Sequence, residues 1–201
     1  MSNPSVTEAS HEEDVANISV QHIIDGKNER DIPATRFIED IEMFSSSFNP
    51  PANVQLLIGA FSDLFGKFKQ IEAQLSEKKR SFEEKIPDIE KSLRLIEHLK
   101  DKKDAEESVI TRYPLADTVY AKAEVDCAQG VVNLWLGANV MVEYSYEEAL
   151  EFLGSKEKSA KKQLKEMTED LAFVRNQIIT CEVNISRIYN WDVRKRRIAG
   201  Q

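Results

Sequence analysis

From Val54 an apolar residue returns at every seventh position: Val54, Phe61, Phe68, Leu75, Phe82, Ile89 and Ile96. A companion row, Leu57, Leu64 and Ile71, follows three residues behind each. Two apolar positions per heptad make the seam of a coiled coil. At Lys78 the companion row fails, and it returns four residues after the main row, at Ile86 and Leu93. The stripe therefore shifts sideways around the helix, as it does at a stutter. Pro87 stands just past the shift. A proline inside a helix costs about 3 kcal/mol. The rows nevertheless stay in phase from Phe82 to Ile96, which predicts a bent, continuous helix over about 52–100 rather than a stop at Ile86. KDKKDAEES (100–108) ends it.

After that segment the period changes from seven to two. In TVYAKAEV (118–125), Val119, Ala121, Ala123 and Val125 alternate with Tyr120, Lys122 and Glu124, the pattern of a strand. RYPLAD before it supplies a partner strand. VVNLWL and VMVEY, within 131–144, are rich in β-branched and aromatic residues. Gly137, Ala138 and Asn139 lie between them, and Gly and Asn tolerate the positive φ of a tight hairpin turn. Two hairpins are thus expected over about 110–144.

SYEE (145–148) has the form of a capping box, with Ser145 as N-cap and Glu148 three residues on. A second heptad helix follows, over about 146–193. One row is Leu150, Leu164, Leu171, Ile178 and Ile185, interrupted at Glu157; the other is Leu153, Ala160, Met167, Val174, Cys181 and Ile188. At 1.5 Å per residue each helix is about 70 Å long. The fold class expected is α+β: a long antiparallel α-helical coiled coil with two β-hairpins between its helices. Two hairpins leave unpaired edges and are marginal alone. Tyr120, Val125, Val132, Leu134, Trp135, Leu136, Val140 and Val142 are therefore expected to be covered by other subunits.

The N-terminal side is harder to read. Residues 1–31 are polar and acidic and are expected to be a disordered tail. In IPATRFIEDIEMF, Phe37, Ile41 and Phe44 suggest a short amphipathic helix, and SSSFNPPAN breaks it. One domain is expected over 32–197, with 198–201 as a second tail.

Composition narrows the function. The 201 residues include 7 glycines and 6 prolines, 31% are charged and the net charge is −8, which argues against wholesale phosphate binding and thus against a nucleic-acid partner. No apolar run approaches the roughly 20 residues that span a bilayer, and no secretory signal is visible, so no membrane partner and a cytoplasmic location are expected. His11, His22 and His98 are dispersed and lack metal-ligand spacing. There is no Gly-rich phosphate loop, and no acid pair stands out for catalysis. Neither a cofactor nor an enzymatic activity is expected. Cys127 and Cys181 form no CxxC. Cys181 sits at a heptad core position, Cys127 in the β segment, and no bridge between them is expected. The basic run Arg194, Lys195, Arg196, Arg197 fits a helix C-terminus, with a nuclear signal as the other reading.

The outer helix ends carry more apolar bulk than a two-position seam needs. Phe61, Leu64, Phe65 and Phe68 crowd one end, and Ile185, Ile188, Tyr189 and Trp191 crowd the end expected beside it. Gly59 and Gly66 weaken the helix there by about 1 kcal/mol each relative to alanine. Two readings stand: a well-packed terminus, or an adaptable apolar surface that binds other proteins.

Several segments together are similar to the α-type prefoldin family. IPATRFIEDI resembles the stretch before that family's first helix, KIPDIEKSL its mid-helix proline segment and LADTVYAKAEV its first hairpin. VNLWLGANVMVEYSYEEA resembles the second hairpin and helix entry, and EVNISRIYNWDVRKRR the C-terminal helix end. The resemblance covers about 32–197. It implies a heterohexamer of two α-type and four β-type subunits, whose hairpins form a double barrel from which six coiled coils hang. It further implies an ATP-independent co-chaperone that captures non-native chains, notably actin and tubulin, and passes them to the cytosolic group II chaperonin. The alternative is a structural coiled-coil adaptor or tether for one folded partner.

Overall fold

The computed structural model describes Ile18 and residues 20–200. A 3-10 turn (Val20–Ile23) leads into β1 (Ile24–Lys27), β2 (Pro33–Thr35) and the short helix α1 (Ile41–Ser46). The long helix α2 (Val54–Asp104) is followed by β3 (Val109–Ala116), β4 (Val119–Val125), β5 (Val131–Gly137) and β6 (Val140–Ser145). The second long helix, α3, runs over Tyr146–Ala199. Both heptad segments are thus helical, as their periodicity predicts, and α2 continues through Pro87. Each helix outruns its expected end, and Ile198 and Ala199 of the expected tail belong to the last turn of α3.

The chain forms two compact units. The first holds the described residues up to Leu75 together with those from Asp170 onward; the second is Ser76–Glu169. Both long helices contribute to each.

In the first unit α2 and α3 share a core with the segment that precedes them. Leu57, Phe61, Leu64 and Phe68 from α2 and Val174, Ile178, Cys181 and Ile188 from α3 are buried together with Ile23, Ile38, Ile41 and Ala52. The expectation of a disordered tail to residue 31 is therefore corrected over 20–31; residues 1–17 and 19 lie outside the described residues. Two heptad helices leave a groove along their seam, and the isoleucines of this segment fill it. Each such burial is worth about 1.5–3 kcal/mol, enough to order a chain whose own propensity is weak. Asn28 organises the link between β1 and β2, its Oδ1 accepting from the amides of Arg30 (3.0 Å) and Ile32 (2.8 Å). The expected helix through Phe37, Ile41 and Phe44 is shorter than its apolar spacing suggests. Asp40 caps α1, its Oδ1 accepting from the Met43 amide at 2.9 Å, so Phe37 falls outside. Phe37 lies instead under the Arg187 guanidinium, 5.1 Å from the ring centre.

In the second unit α2 and α3 run antiparallel. Lys161 Nζ meets Glu90 at 2.7 Å and Lys100 Nζ meets Glu147 at 3.1 Å, so a step forward on α2 is a step back on α3. The capping box of α3 is complete: the Ser145 amide donates to Glu148 Oε2 (3.1 Å) and the Glu148 amide to Ser145 Oγ (3.3 Å). Gly130, at φ +69°, allows Lys103 to pass; a Cβ there would collide with Lys103 Nζ. The Lys103 ammonium reaches the face of Tyr146.

The hairpins share one design. β3 pairs antiparallel with β4 and β5 with β6, and each pairing skips one residue just before a tight turn. Leu115 is skipped in the first and Leu136 in the second. The second turn is Ala138–Asn139, with φ of 49° and 61° after Gly137 at 101°. Positive φ at both central residues gives the turn that matches strand twist.

Candidate interaction surfaces

Among the described residues each hairpin is a two-stranded sheet on its own, with both outer edges unpaired. A two-stranded ribbon hides little of its surface. Ile110, Tyr113, Leu115, Val119 and Tyr120 on the first hairpin, and Trp135, Leu136, Val140 and Met141 on the second, are exposed. Trp135 keeps 63% of its surface and Leu115 also 63%, in side chains that are ordinarily covered. Open backbone edges beside this apolar surface form a template for further strands.

The structure divides the eight hairpin residues expected to await a partner. Tyr120, Val125, Trp135, Leu136 and Val140 are exposed. Val132 and Leu134 are half-buried and pack on a small core of Ile96, Tyr146 and Ala149 within the same unit. Val142 pairs with Leu134 across the ladder and is half-buried. Sequence reasoning missed Ile110, Tyr113, Leu115, Val119 and Met141. Alternation marks a strand's faces but does not say which face its own helices cover.

The outer-end residues fare differently. Phe61, Leu64, Phe68 and Ile188 are buried in this conformation. Phe65, Ile185 and Trp191 pack against the same core while remaining partly accessible. Lys69 lies over Phe65 at 5.8 Å and Lys195 over Trp191 at 4.8 Å. Tyr189 is exposed.

What covers these residues is held by a polar row that the apolar pattern concealed. Asp170, Gln177 and Asn184 stand seven apart on α3. Asp170 accepts from Asn28 Nδ2 at 2.9 Å and from Arg30 Nε at 2.7 Å. Gln177 Oε1 accepts from the Thr35 amide at 2.8 Å. Asn184 Oδ1 accepts from the Ile38 amide at 3.1 Å, and its Nδ2 donates to the Arg36 carbonyl at 2.8 Å. Arg187 Nη2 donates to the Glu39 carbonyl at 2.7 Å. Asp170 and Asn184 are both buried, so each needs these partners. A seven-residue spacing of polar residues was the available signal.

Cys181 lies beneath the same segment, its Sγ 3.4 Å from Thr35 Oγ1, and burial pushes its thiol pKa up. Cys127 and Cys181 are both free and buried. On the rim, Arg175 and Lys69 bond Glu72 and hold its carboxyl below the usual range.

Two heptad helices joined by two open hairpins define a class of subunit made to be completed by others. The description "Prefoldin subunit" fits residues 68–191, more than half of the chain. Prefoldin subunit 3 of Mus musculus is 39% identical over 167 residues, which cover 82% of this chain and 83% of that protein. Prefoldin subunit 3 of Saccharomyces cerevisiae is 35% identical over 179 residues, covering 85% and 88%. A solved chain of filamentous PFD from Methanocaldococcus jannaschii is 19% identical, with a TM-score of 0.44 and coverage of 58% of this chain and 93% of that one; a likeness this low adds no argument. The chain belongs to the prefoldin subunit family. As such it is a chaperone component, and its partners are other prefoldin subunits.

Proposed function

We propose that this chain is one subunit of a heterohexameric co-chaperone that works without ATP in the cytoplasm. It binds non-native proteins, actin and tubulin among them, and transfers them to the cytosolic group II chaperonin. The observation that carries this reading is the pair of hairpins, which leave backbone edges and large apolar side chains uncovered. Such surface calls for a multimerising β body, which a simple tether does not need. The resemblance to α-type prefoldins supplies the identity of clients and chaperonin. The basic run Arg194–Arg197 is a candidate nuclear signal.

The test is reconstitution with α- and β-type partners, followed by native mass spectrometry and aggregation assays on one preparation. A hexamer that suppresses aggregation of denatured actin, and binds folded actin weakly, is the expected result. Tyr189→Ser should leave assembly intact and weaken capture, because that ring is exposed and outside the hairpins. Equal binding of folded and unfolded actin would favour the second reading, an adaptor for a folded partner. One observation speaks for that reading: Phe61, Leu64, Phe68 and Ile188 are consumed inside the first unit.

A further inference from the structure

The segment over residues 28–39 lies in the first unit as a bound chain would. Its side chains Ile32 and Ile38 enter the apolar seam. Asp170 of α3 holds the side chains of Asn28 and Arg30, and over 35–39 α3 holds the segment largely by its main chain. Gln177 reads the Thr35 amide, Asn184 the Ile38 amide and Arg36 carbonyl, and Arg187 the Glu39 carbonyl. The spacing is matched. From Gln177 to Asn184 the helix rises about 10.5 Å at 1.5 Å per residue. From Thr35 to Ile38 an extended chain spans about 10 Å at 3.3 Å per residue. One heptad of α3 therefore reads three residues of extended chain, in parallel direction. Main-chain groups are common to every polypeptide, so this recognition does not depend on the bound sequence. The apolar seam beside it accepts any bulky side chain.

We propose that this groove on α3, lined by Gln177, Asn184 and Arg187 beside Phe61, Leu64 and Ile188, is a binding site for extended non-native polypeptide. Residues 28–39 occupy it as an internal stand-in that a client displaces. The inference rests on the chaperone reading above and names its site. It also explains how aromatic residues that suit client capture come to be buried in the free chain. The strap shields them until a client competes, which protects the subunit from self-association. A strap that leaves the groove open only a fraction of the time weakens client binding by that fraction.

The experiment is a reversible lock on the assembled complex. Thr35 Oγ1 stands 3.4 Å from Cys181 Sγ, so Thr35→Cys in the full-length chain places two thiols side by side. Mild oxidation should join residues 35 and 181, read by mass spectrometry of the linked peptides. With denatured actin as probe, chemical cross-links between client and this chain's α3 should fall about tenfold or more on oxidation. Reduction should restore them. Ile38→Ser loosens the strap without altering a side chain of α3. It should raise those cross-links and speed alkylation of Cys181. Failure of the bridge to form in the assembled complex would mean that the strap is not docked there, and would overturn the proposal. So would equal client cross-linking in oxidised and reduced complexes. If the reduced complex captures no client at all, the chaperone reading itself falls, a result distinct from a lock without effect.

Discussion

The two units treat surplus apolar surface in opposite ways. In the first, the helical pair carries more aromatic bulk than its seam can hide, and the chain supplies its own cover in Ile23, Ile38, Ile41 and Ala52. In the second, the hairpins carry a comparable surplus, of which Val132, Leu134 and Tyr144 pack on a small core of helix residues of the same unit. Trp135, Leu136, Tyr120 and Leu115 stay in the open. The difference lies in backbone as much as in side chains. A helix satisfies its own amides and carbonyls, so a strap of side chains can finish its surface. A two-stranded ribbon has edges that only another strand completes. Surplus on helices can be resolved within one chain; surplus on hairpins recruits partners.

The sharpest way to break this contrast is to charge the open hairpin. Trp135→Asp with Leu136→Asp should remove about 3–6 kcal/mol of association energy, at about 1.5–3 kcal/mol for each apolar side chain covered. Native mass spectrometry should show the hexamer lost while circular dichroism keeps the helices. An unchanged hexamer would mean that these residues face solvent in the complex.

The complementary change is made in the closed unit. Phe61→Ala should cost about 3–5 kcal/mol of stability, since that ring is fully buried. Thermal unfolding should fall while the hexamer still forms at low temperature. A smaller effect should follow from Asn184→Ala, which leaves the Ile38 amide and Arg36 carbonyl unpaired. The expected cost is about 1–3 kcal/mol, with faster hydrogen exchange confined to the strap and its groove.

Pro87→Ala should act in the opposite direction. It returns an amide donor to the interior of α2 and should stabilise the second unit by about 0.5–1.5 kcal/mol. Chemical denaturation of the assembled complex would read it. The smallest effect is that of pH. Glu72 and Glu90 are held below the ordinary carboxylate range, Glu72 by Arg175 and Lys69, and Glu90 by Lys161. Their contribution is present above the unfolded value of about 4.3 and is lost as pH falls toward and through the lowered folded value. Stability should therefore be flat on this account from neutral pH to about 4.3 and decline below it. Glu72→Gln should remove part of that decline, and only a small part, because exposed ion pairs contribute little.

Most of the scaffold was legible because its information is local and periodic. The heptad rows predict both long helices, and their phase across Pro87 predicts that α2 does not stop there. Ser145 and Glu148 mark the start of α3, and alternation with a Gly-Ala-Asn turn marks the second hairpin. The candidate surfaces were legible only as a pool of residues. Val132 resembles Val140 in the sequence, and whether either faces its own helices depends on how the hairpin folds back over Ile96 and Tyr146. Phe61 and Tyr189 both belong to an apolar cluster, yet one is buried and the other exposed.

By itself, the sequence determined two coiled-coil helices, two hairpins, the cap between them and the family. Each follows from spacing that a single segment carries. Only the tertiary structure decided the fate of residues 20–53. Their isoleucines keep neither a helical nor a strand period, because the surface they fit is the seam of two helices rather than a face of their own. The backbone groups of Thr35, Arg36, Ile38 and Glu39 bond Gln177, Asn184 and Arg187, which lie far along the chain. A segment ordered by long-range contacts has no local signature of order, and so residues 20–31 read as a tail until the groove that holds them has formed.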